Sequence, residues 1–121
     1  MKRRTLKPSL AHRATEFHHS VYVVLLDEAV ARLRRVRAVN PARNPDKPCL
    51  YVGMTGLPLE KRFENHKNGF KASYYVKRYG KGLMPDLYAH LNPMPYDQAV
   101  IMERELAEDL RREGYTVTGG H

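Results

Sequence analysis

Two continuous apolar runs, each with one tyrosine, constrain the fold of this 121-residue chain more than any other feature. The first covers residues 20–26 and the second residues 49–53, where Gly53 and then Gly56 close it. Neither run alternates between apolar and polar residues, so both predict strands that are buried on two faces. The length of the chain allows one hydrophobic core, and we therefore expect a single domain.

Residues 27–48 form an excursion between the two predicted strands. Asp27 can cap a helix whose apolar side chains share one stripe. These side chains are Val30, Leu33, Val36 and, as a further candidate, Val39. The rest of the excursion, residues 40–48, contains three prolines and two asparagines, which favours a loop.

A second helix is predicted after the second strand, over residues 58–68. Pro58 suits its first turn and Gly69 its C-terminal cap. The segment 74–79 fits a helix or an extended chain equally well, so the pattern does not decide between them. Further on, we predict a short strand within residues 86–91, because Asn92 and the prolines after it would end one there.

The last predicted helix runs from Asp97 to Arg112 and stops at Gly114. A final strand is predicted at residues 115–118. In the helix, the buried stripe would consist of small and aliphatic residues at helical spacing. Its members are Ala99, Met102, Leu106 and Leu110.

The chain has 21 Lys and Arg residues against 13 Asp and Glu residues, for a formal charge of +8 and a pI near 9.8. This balance predicts a polyanionic partner, with nucleic acid as the leading candidate; the alternative is a basic surface that is simply solvated. The candidate contacts are Arg32, Arg34, Arg35, Arg37, Lys71, Lys77 and Arg78. Three tyrosines among them, Tyr74, Tyr75 and Tyr79, could stack on bases or belong to the core.

No apolar run approaches the roughly 20 residues that a membrane span needs, and the N-terminal segment lacks a hydrophobic signal core. We expect a soluble, cytoplasmic protein with a flexible basic arm at residues 1–18 and one domain at 19–121. Cys49 is alone, so it cannot form an internal disulfide; we expect it to be a buried strand residue. Three histidines without acidic partners are expected to be solvated. They are His12, His18 and His19.

Three polar residues stand out on the predicted helices. Arg62 and His66 are four residues apart and project from the same side of their helix. Glu103 falls within the apolar stripe of the last helix, where a carboxylate needs a cation or several donors nearby. Either Arg62 or a metal ion could fill that need. The alternative is a buried Arg62–Glu103 ion pair, with His66 on the helix surface.

These residues resemble the signature of the GIY-YIG nuclease family, over about residues 20–118. Val21-Tyr22-Val23 stands where the first triplet would be, without its glycine and isoleucine, and Tyr51-Val52-Gly53 stands at the second. Arg62 and His66 match an Arg-x-x-x-His helix. Glu103 matches the glutamate that binds the metal ion in the family.

The resemblance implies a small α+β domain with a central three-stranded antiparallel sheet flanked by helices. It further implies a metal-dependent endonuclease that hydrolyses DNA phosphodiester bonds by in-line attack of water. One Mg²⁺ or Mn²⁺ ion would be bound by Glu103. The implied catalytic residues are Tyr22, Tyr51, Arg62, His66 and Glu103.

Chemical arguments suggest a role for each of these residues. Magnesium keeps most of its waters, so one carboxylate and a substrate oxygen can hold it. Arg62 can stabilise the negative charge that develops on the phosphate. With an ordinary pKa near 6.5, His66 is better suited than a tyrosine to accept a proton from water, directly or through Tyr22. Tyr22 would then orient the water, and Tyr51 would position water or phosphate.

One departure from the family pattern supports a different class of function. Relatives carry an asparagine after the last helix, and here Tyr115 or Thr118 stands near that position. A nucleic-acid-binding module that keeps the nuclease fold with little or no catalysis is therefore the alternative to an enzyme.

Overall fold

The computed structural model describes residues 17–69 and 73–120. Within these ranges the strands are β1 (Ser20–Leu26), β2 (Cys49–Thr55), β3 (Gly80–Leu83) and β4 (Thr116–Gly119). The α-helices there are α1 (Arg34–Ala38), α2 (Leu59–Lys67), α3 (Tyr74–Tyr79) and α4 (Tyr96–Arg112). The arm predicted at residues 1–18 lies outside the described residues except for its last two. Lys71 and His12 also lie outside them.

The four strands form one mixed sheet in the order β3-β1-β2-β4. β1 pairs antiparallel with both β2 and β3, whereas β4 pairs parallel with β2. The fold is thus α+β, as expected, but the prediction of a purely antiparallel three-stranded sheet is wrong. The parallel strand arises because α4 returns the chain to the free edge of β2.

Burial of the sheet explains the two continuous apolar runs. Val21, Val23 and Val24 are fully buried in β1, as are Leu50 and Val52 in β2. Helix α4 packs on three strands, β1, β2 and β4, while α3 contacts β1 and β3. Each fully buried aliphatic side chain contributes about 1.5–3 kcal/mol, so this sheet forms the centre of the core. Cys49 is also buried, as predicted.

The excursion begins as predicted, because the Asp27 side chain accepts a hydrogen bond from the Ala29 N–H. It then forms a short 3-10 helix, Glu28–Arg32, and breaks at Leu33, whose backbone is extended. The single predicted helix is therefore two short ones. Two residues of the predicted stripe, Val30 and Val36, are buried.

Val39 lies on the outside of the excursion, where its side chain is 54% exposed. Its inclusion as a candidate in the buried stripe was wrong, because the break at Leu33 changes which side of the chain faces the core in the residues after it.

The next residue, Asn40, is buried. Its side chain donates to the carbonyl of Val117 and accepts from the N–H of the same residue. The Asn40 amide therefore pairs with the outer edge of β4 as a neighbouring strand would.

The strand predicted within residues 86–91 is absent from that segment, which instead forms two 3-10 turns, Pro85–Leu87 and Ala89–Leu91. Tyr88 and Leu91 are buried there, so the apolar residues of the segment fill the core without pairing in the sheet. The third antiparallel strand is β3, earlier in the chain.

The remaining helices agree with the sequence. Gly69 and Gly114 have φ values of 85° and 98° at the ends of α2 and α4, which is the left-handed conformation of a helix C-terminal cap. The undecided segment 74–79 is helical. Within the described ranges, no helix is long and apolar enough to cross a membrane.

Candidate active site

The β1–β2 pairing brings the two signature tyrosines together. Tyr22 lies directly opposite Gly53, and Tyr51 is two residues before that glycine on the same face of the sheet. Their ring centroids are 6.2 Å apart. A Cβ atom at Gly53 would lie 2.7 Å from the Tyr22 hydroxyl oxygen, so glycine is needed at this position to make room for the phenol ring.

Helix α2 carries His66 into contact with Tyr22. The His66 side chain is completely buried, and its Nε2 atom lies 2.7 Å from the Tyr22 hydroxyl oxygen. The alternative that His66 is a helix-surface residue is therefore wrong. Because the contact is short and buried, it fixes the orientation of both side chains.

The other ring nitrogen of His66 defines the tautomer. The backbone N–H of Ser73 lies 3.0 Å from His66 Nδ1. A backbone N–H can only donate, so Nδ1 must be the acceptor, and the neutral ring carries its proton on Nε2. This assignment follows from the hydrogen-bond network. His66 therefore donates to Tyr22 and does not accept the Tyr22 proton.

The ionisation of the site differs from the ordinary values assumed from sequence. Burial, with a smaller contribution from the nearby Arg62 charge, lowers the pKa of His66 to about 4. The imidazole is consequently neutral near pH 7, and the expected value of 6.5 does not apply. Burial is also the main cause that raises the pKa of Tyr22 and of Tyr51, while the Arg62 charge opposes both shifts. Both phenols are therefore protonated.

Glu103 completes the group from the side of α4. Its side chain is only 8% exposed, and burial raises its pKa to about 7. Its negative charge is also the second cause, after burial, of the raised pKa of Tyr51, which shows that the two side chains are neighbours. A tight ion pair with Arg62 would lower the pKa of Glu103. The observed direction therefore argues against the buried Arg62–Glu103 pair.

Glu103 suits a cation that needs few protein ligands. Within the described residues, no three His, Cys, Asp or Glu side chains are grouped so that they could hold a metal ion. A closed protein cage is thus not formed by this part of the chain. A Mg²⁺ ion that keeps most of its waters requires only a carboxylate and substrate oxygens, and a buried carboxylate is stabilised by such a charge.

Ser73 is a residue of the site that the sequence analysis missed. Besides its backbone contact with His66, its side chain hydrogen-bonds Tyr51 and opposes the rise in the pKa of that phenol. Ser73 is the N-terminal flanking residue of α3. The one signal in the sequence was its position before a segment that could be helical. A contact made by a backbone N–H cannot be recognised from the type of residue.

Two glycines at the end of β4 also belong to the site, because Gly119 is its last residue and Gly120 follows it. Gly119 and Gly120 have φ values of 76° and 78°, which strongly favour glycine. A Cβ at Gly119 would come within 2.9 Å of the Tyr51 ring, and one at Gly120 would clash with Ala107 of α4. The backbone thus passes close to Tyr51 and to the helix that carries Glu103.

Neither residue near the position of the family asparagine takes its place. The Thr118 hydroxyl donates to the carbonyl of Leu50. The Tyr115 ring lies beneath the Lys47 ammonium group, 4.8 Å from its centroid to Nζ. Both side chains are thus occupied elsewhere.

The candidate nucleic-acid contacts fall into two neighbouring groups. Arg32, Arg34, Arg35 and Arg37 are exposed on the excursion, and Lys77 and Arg78 are exposed on α3. Arg37 also donates to the carbonyls of Ala31 and Arg32.

Of the two described histidines that were predicted to be solvated, only His18 is exposed. His19 is partly buried, and its ring packs edge-on against Tyr96 at 5.2 Å. The prediction that it is solvated was wrong, because the sequence could not show this contact.

No known family model, curated protein or solved structure matches the chain.

Proposed function

We propose that the chain is a GIY-YIG-like endonuclease that hydrolyses DNA phosphodiester bonds with the help of one divalent cation. The observation that carries the proposal is the buried Tyr22–His66 hydrogen bond. The Arg62 charge affects the pKa values of both partners, and the charge of the buried Glu103 affects that of Tyr51. A core that serves only packing does not need this combination, because three of its polar side chains are buried at a free-energy cost. They are Tyr22, His66 and Glu103. Perturbed groups that converge in this way are typical of functional sites.

Arg62 is the residue that binds the phosphate in this proposal. Its guanidinium is close enough to all three aromatic site residues to affect their pKa values. An arginine can hold two phosphate oxygens at once. It also stabilises the additional negative charge of the transition state, which makes its contribution to the rate larger than its contribution to substrate binding.

Tyr22 orients the attacking water. One lone pair of its hydroxyl oxygen accepts the His66 Nε2 proton, and the second can accept a hydrogen bond from water. That bond leaves a lone pair of the water available for in-line attack on phosphorus, and the P–O bond to the leaving oxygen breaks as the new O–P bond forms. The proton of the water passes to bulk solvent, because Tyr22 is already protonated and the Nδ1 lone pair of His66 is engaged. His66 is then a positioning residue, since its lone pair on Nδ1 is engaged by Ser73.

Glu103 would hold the cation, Mg²⁺ or Mn²⁺. When bound, such an ion supplies Lewis-acid activation of the phosphate and stabilises the leaving oxygen. The carboxylate must be ionised for this purpose. With a pKa of about 7, Glu103 is about half ionised at neutral pH before a cation binds.

A nucleic-acid-binding module without turnover is the second candidate. It is favoured by the residues after α4, where Thr118 and Tyr115 both make other contacts and two glycines pass the site. No side chain among these four replaces the family asparagine. Binding without cleavage under every metal condition would select this candidate.

The test is a cleavage assay on plasmid, single-stranded and branched DNA with Mg²⁺, Mn²⁺ or EDTA. We expect cleavage of at least one substrate with a metal ion and none with EDTA. Arg62→Ala should lower the rate by about 100-fold or more, the scale of losing a major electrostatic stabiliser. Lys61→Ala, an exposed cation of the same helix, is the control and should change it little. Equal rates for the two variants would contradict the role of Arg62.

A further inference from the structure

Helix α3 displays an aromatic residue that the core does not use. Tyr74 is 51% exposed, whereas Val76 is the residue of this helix that is buried. The Tyr74 ring meets the edges of Tyr75 and Tyr79, with centroids 5.5 and 6.2 Å away. These contacts hold the exposed ring in place, so that Tyr74 is part of a surface and does not belong to the core.

Positive charge surrounds this aromatic cluster. Arg35 of α1 donates from Nε to the Tyr75 hydroxyl at 2.9 Å, and its guanidinium lies 5.5 Å from the centre of the Tyr74 ring. Arg78 lies in the same way over Tyr79, at 5.7 Å. Residues 65–85 contain five lysines and arginines and no acidic residue. Such a surface complements a polyanion, and its aromatic ring offers a face on which a base can stack.

The cluster lies immediately beside the candidate active site. Ser73, the residue before Tyr74, donates its backbone N–H to His66. Consecutive Cα atoms are about 3.8 Å apart, so the exposed ring begins one residue away from a direct partner of the site. Tyr74 thus directly follows the residue that contacts His66, which lies one helical turn from Arg62 on α2. A nucleotide next to a phosphate bound at Arg62 is the candidate partner of the Tyr74 ring.

We propose that Tyr74 is a stacking platform for an unpaired base next to the phosphodiester bond that is cleaved. In a duplex, the faces of a base are covered by the neighbouring pairs, and a base must leave the stack to contact a side chain in this way. The substrate class is then DNA with single-stranded nucleotides at the cleavage position. This inference rests on the proposed nuclease function and adds the substrate to it.

The chain contains no tryptophan, so Tyr74→Trp introduces a unique fluorophore at the proposed platform. The full-length variant is titrated in EDTA with an oligothymidylate and, separately, with a blunt duplex of the same length. Stacking on an unpaired base should quench the tryptophan with the single strand and leave it nearly unchanged with the duplex. The wild-type protein is assayed for cleavage in parallel.

Val39→Trp is the matched control, because Val39 is also about half exposed. The two variants also report on different edges of the sheet. Val39 precedes Asn40, which binds β4 at one edge, whereas α3 contacts β3 at the other edge. The fluorescence of Val39→Trp should change little with either ligand. Equal quenching of the two variants, equal quenching by both ligands, or no quenching of Tyr74→Trp would each overturn the proposal.

A second pair of variants separates stacking from simple burial. Tyr74→Phe keeps the aromatic face and should bind the single strand as the wild type does, whereas Tyr74→Leu keeps an apolar side chain without the face and should lose about tenfold in affinity. Similar affinities for both variants would contradict stacking. If Tyr74→Trp is not quenched but the wild type still cleaves DNA, only this inference fails. If the wild type neither binds nor cleaves, the proposed function fails with it.

Discussion

At the residue scale, the geometry of the site depends on Gly53, which has no side chain. Gly53 lies opposite Tyr22 in the sheet, and the phenol ring occupies the space that any other residue would fill. The Tyr22 hydroxyl oxygen in turn accepts a hydrogen bond from His66 Nε2–H. The geometry of the candidate site therefore depends on the absence of a Cβ atom at this position of β2.

We predict that Gly53→Ala lowers both stability and activity. The new Cβ would lie 2.7 Å from Tyr22, so the ring has to move away from His66, and overpacking of this kind costs about 1–3 kcal/mol. Thermal unfolding and the cleavage rate are the measurements. Gly82→Ala is the control, because Gly82 also lies in a strand but has no atom within 4 Å of the added Cβ. Equal effects of both changes would contradict the steric argument.

A second residue-scale prediction concerns pH. The cation competes with a proton for Glu103, whose pKa of about 7 is well above its ordinary 4.5. At low metal concentration the cleavage rate should therefore rise with pH through about 7, and the midpoint should move to lower pH as metal is added. His66, with a pKa of about 4, adds no step near neutrality. A midpoint that stays at 6–7 at every metal concentration would assign the step to a general base.

Single residues also show how much of the site could be predicted. Residue type, spacing and the resemblance to the nuclease family selected Tyr22, Tyr51, Arg62, His66 and Glu103. The structure places the first two and His66 in contact, and the charges of Arg62 and Glu103 affect the pKa values within this group. Ser73 was missed because it acts partly through its backbone N–H. The direction of the Tyr22–His66 hydrogen bond was also beyond prediction, since it depends on the Ser73 contact that fixes the tautomer.

At the scale of elements, the local signals that succeeded were long apolar runs and helix caps. β1 and β2 were predicted because each is buried on both faces, and α2 and α4 because glycine ends them in a left-handed conformation. β3 was missed, since Gly80–Leu83 contains two glycines and forms a strand only by pairing with β1. The parallel pairing of β4 was missed for a similar reason, as it depends on where α4 returns the chain.

One side chain, that of Asn40, holds the excursion against β4, and this contact gives a third prediction. Asn40 binds both backbone groups of Val117 and also the Val36 carbonyl. Asn40→Ala leaves these buried groups without partners and should lower the free energy of unfolding by about 2 kcal/mol or more. Urea denaturation measures it. Asn44→Ala, at an exposed position of the same loop, should cost clearly less, and equal losses would show that the Asn40 contacts add little.

At the scale of the whole molecule, the exposed arginines of the excursion and the exposed Lys77 and Arg78 of α3 form two groups of positive charge, and a further basic excess lies in the sequence of residues 1–16. The two groups are connected through Arg35, which contacts Tyr75. Acidic residues are concentrated instead on α4. This separation predicts that DNA binding depends strongly on salt.

The fourth prediction tests the excursion as a phosphate-binding surface. Replacing Arg32 and Arg34, both exposed, with Gln should weaken DNA binding and reduce the slope of log K against log salt by about 0.7–0.9 for each phosphate that the protein no longer neutralises. Binding measured at several salt concentrations gives the slope. Arg112→Gln, an exposed cation on α4 that pairs with Asp109, serves as the control. An unchanged slope in the double variant would mean that the excursion faces solvent in the complex.

Stability provides the folding check for variants of Glu103. Between pH 4.5 and 7 the folded protein keeps a proton that the unfolded chain has lost, so this group's contribution to stability falls as pH rises through the window. Glu103→Gln removes this fall in stability, because the glutamine amide does not ionise. Without metal, the variant should therefore be more stable than the wild type above pH 7, by at most about 3 kcal/mol.

The most direct test of the nuclease proposal compares Glu103→Gln with Glu108→Gln in one DNA cleavage and binding experiment with Mg²⁺. Both residues lie on α4, but Glu103 is buried and Glu108 exposed. Glu103→Gln should abolish cleavage while DNA binding persists, because the amide keeps the shape of the side chain without the charge that holds the cation. Glu108→Gln should cleave as the wild type does. Cleavage by Glu103→Gln at the wild-type rate would contradict the account.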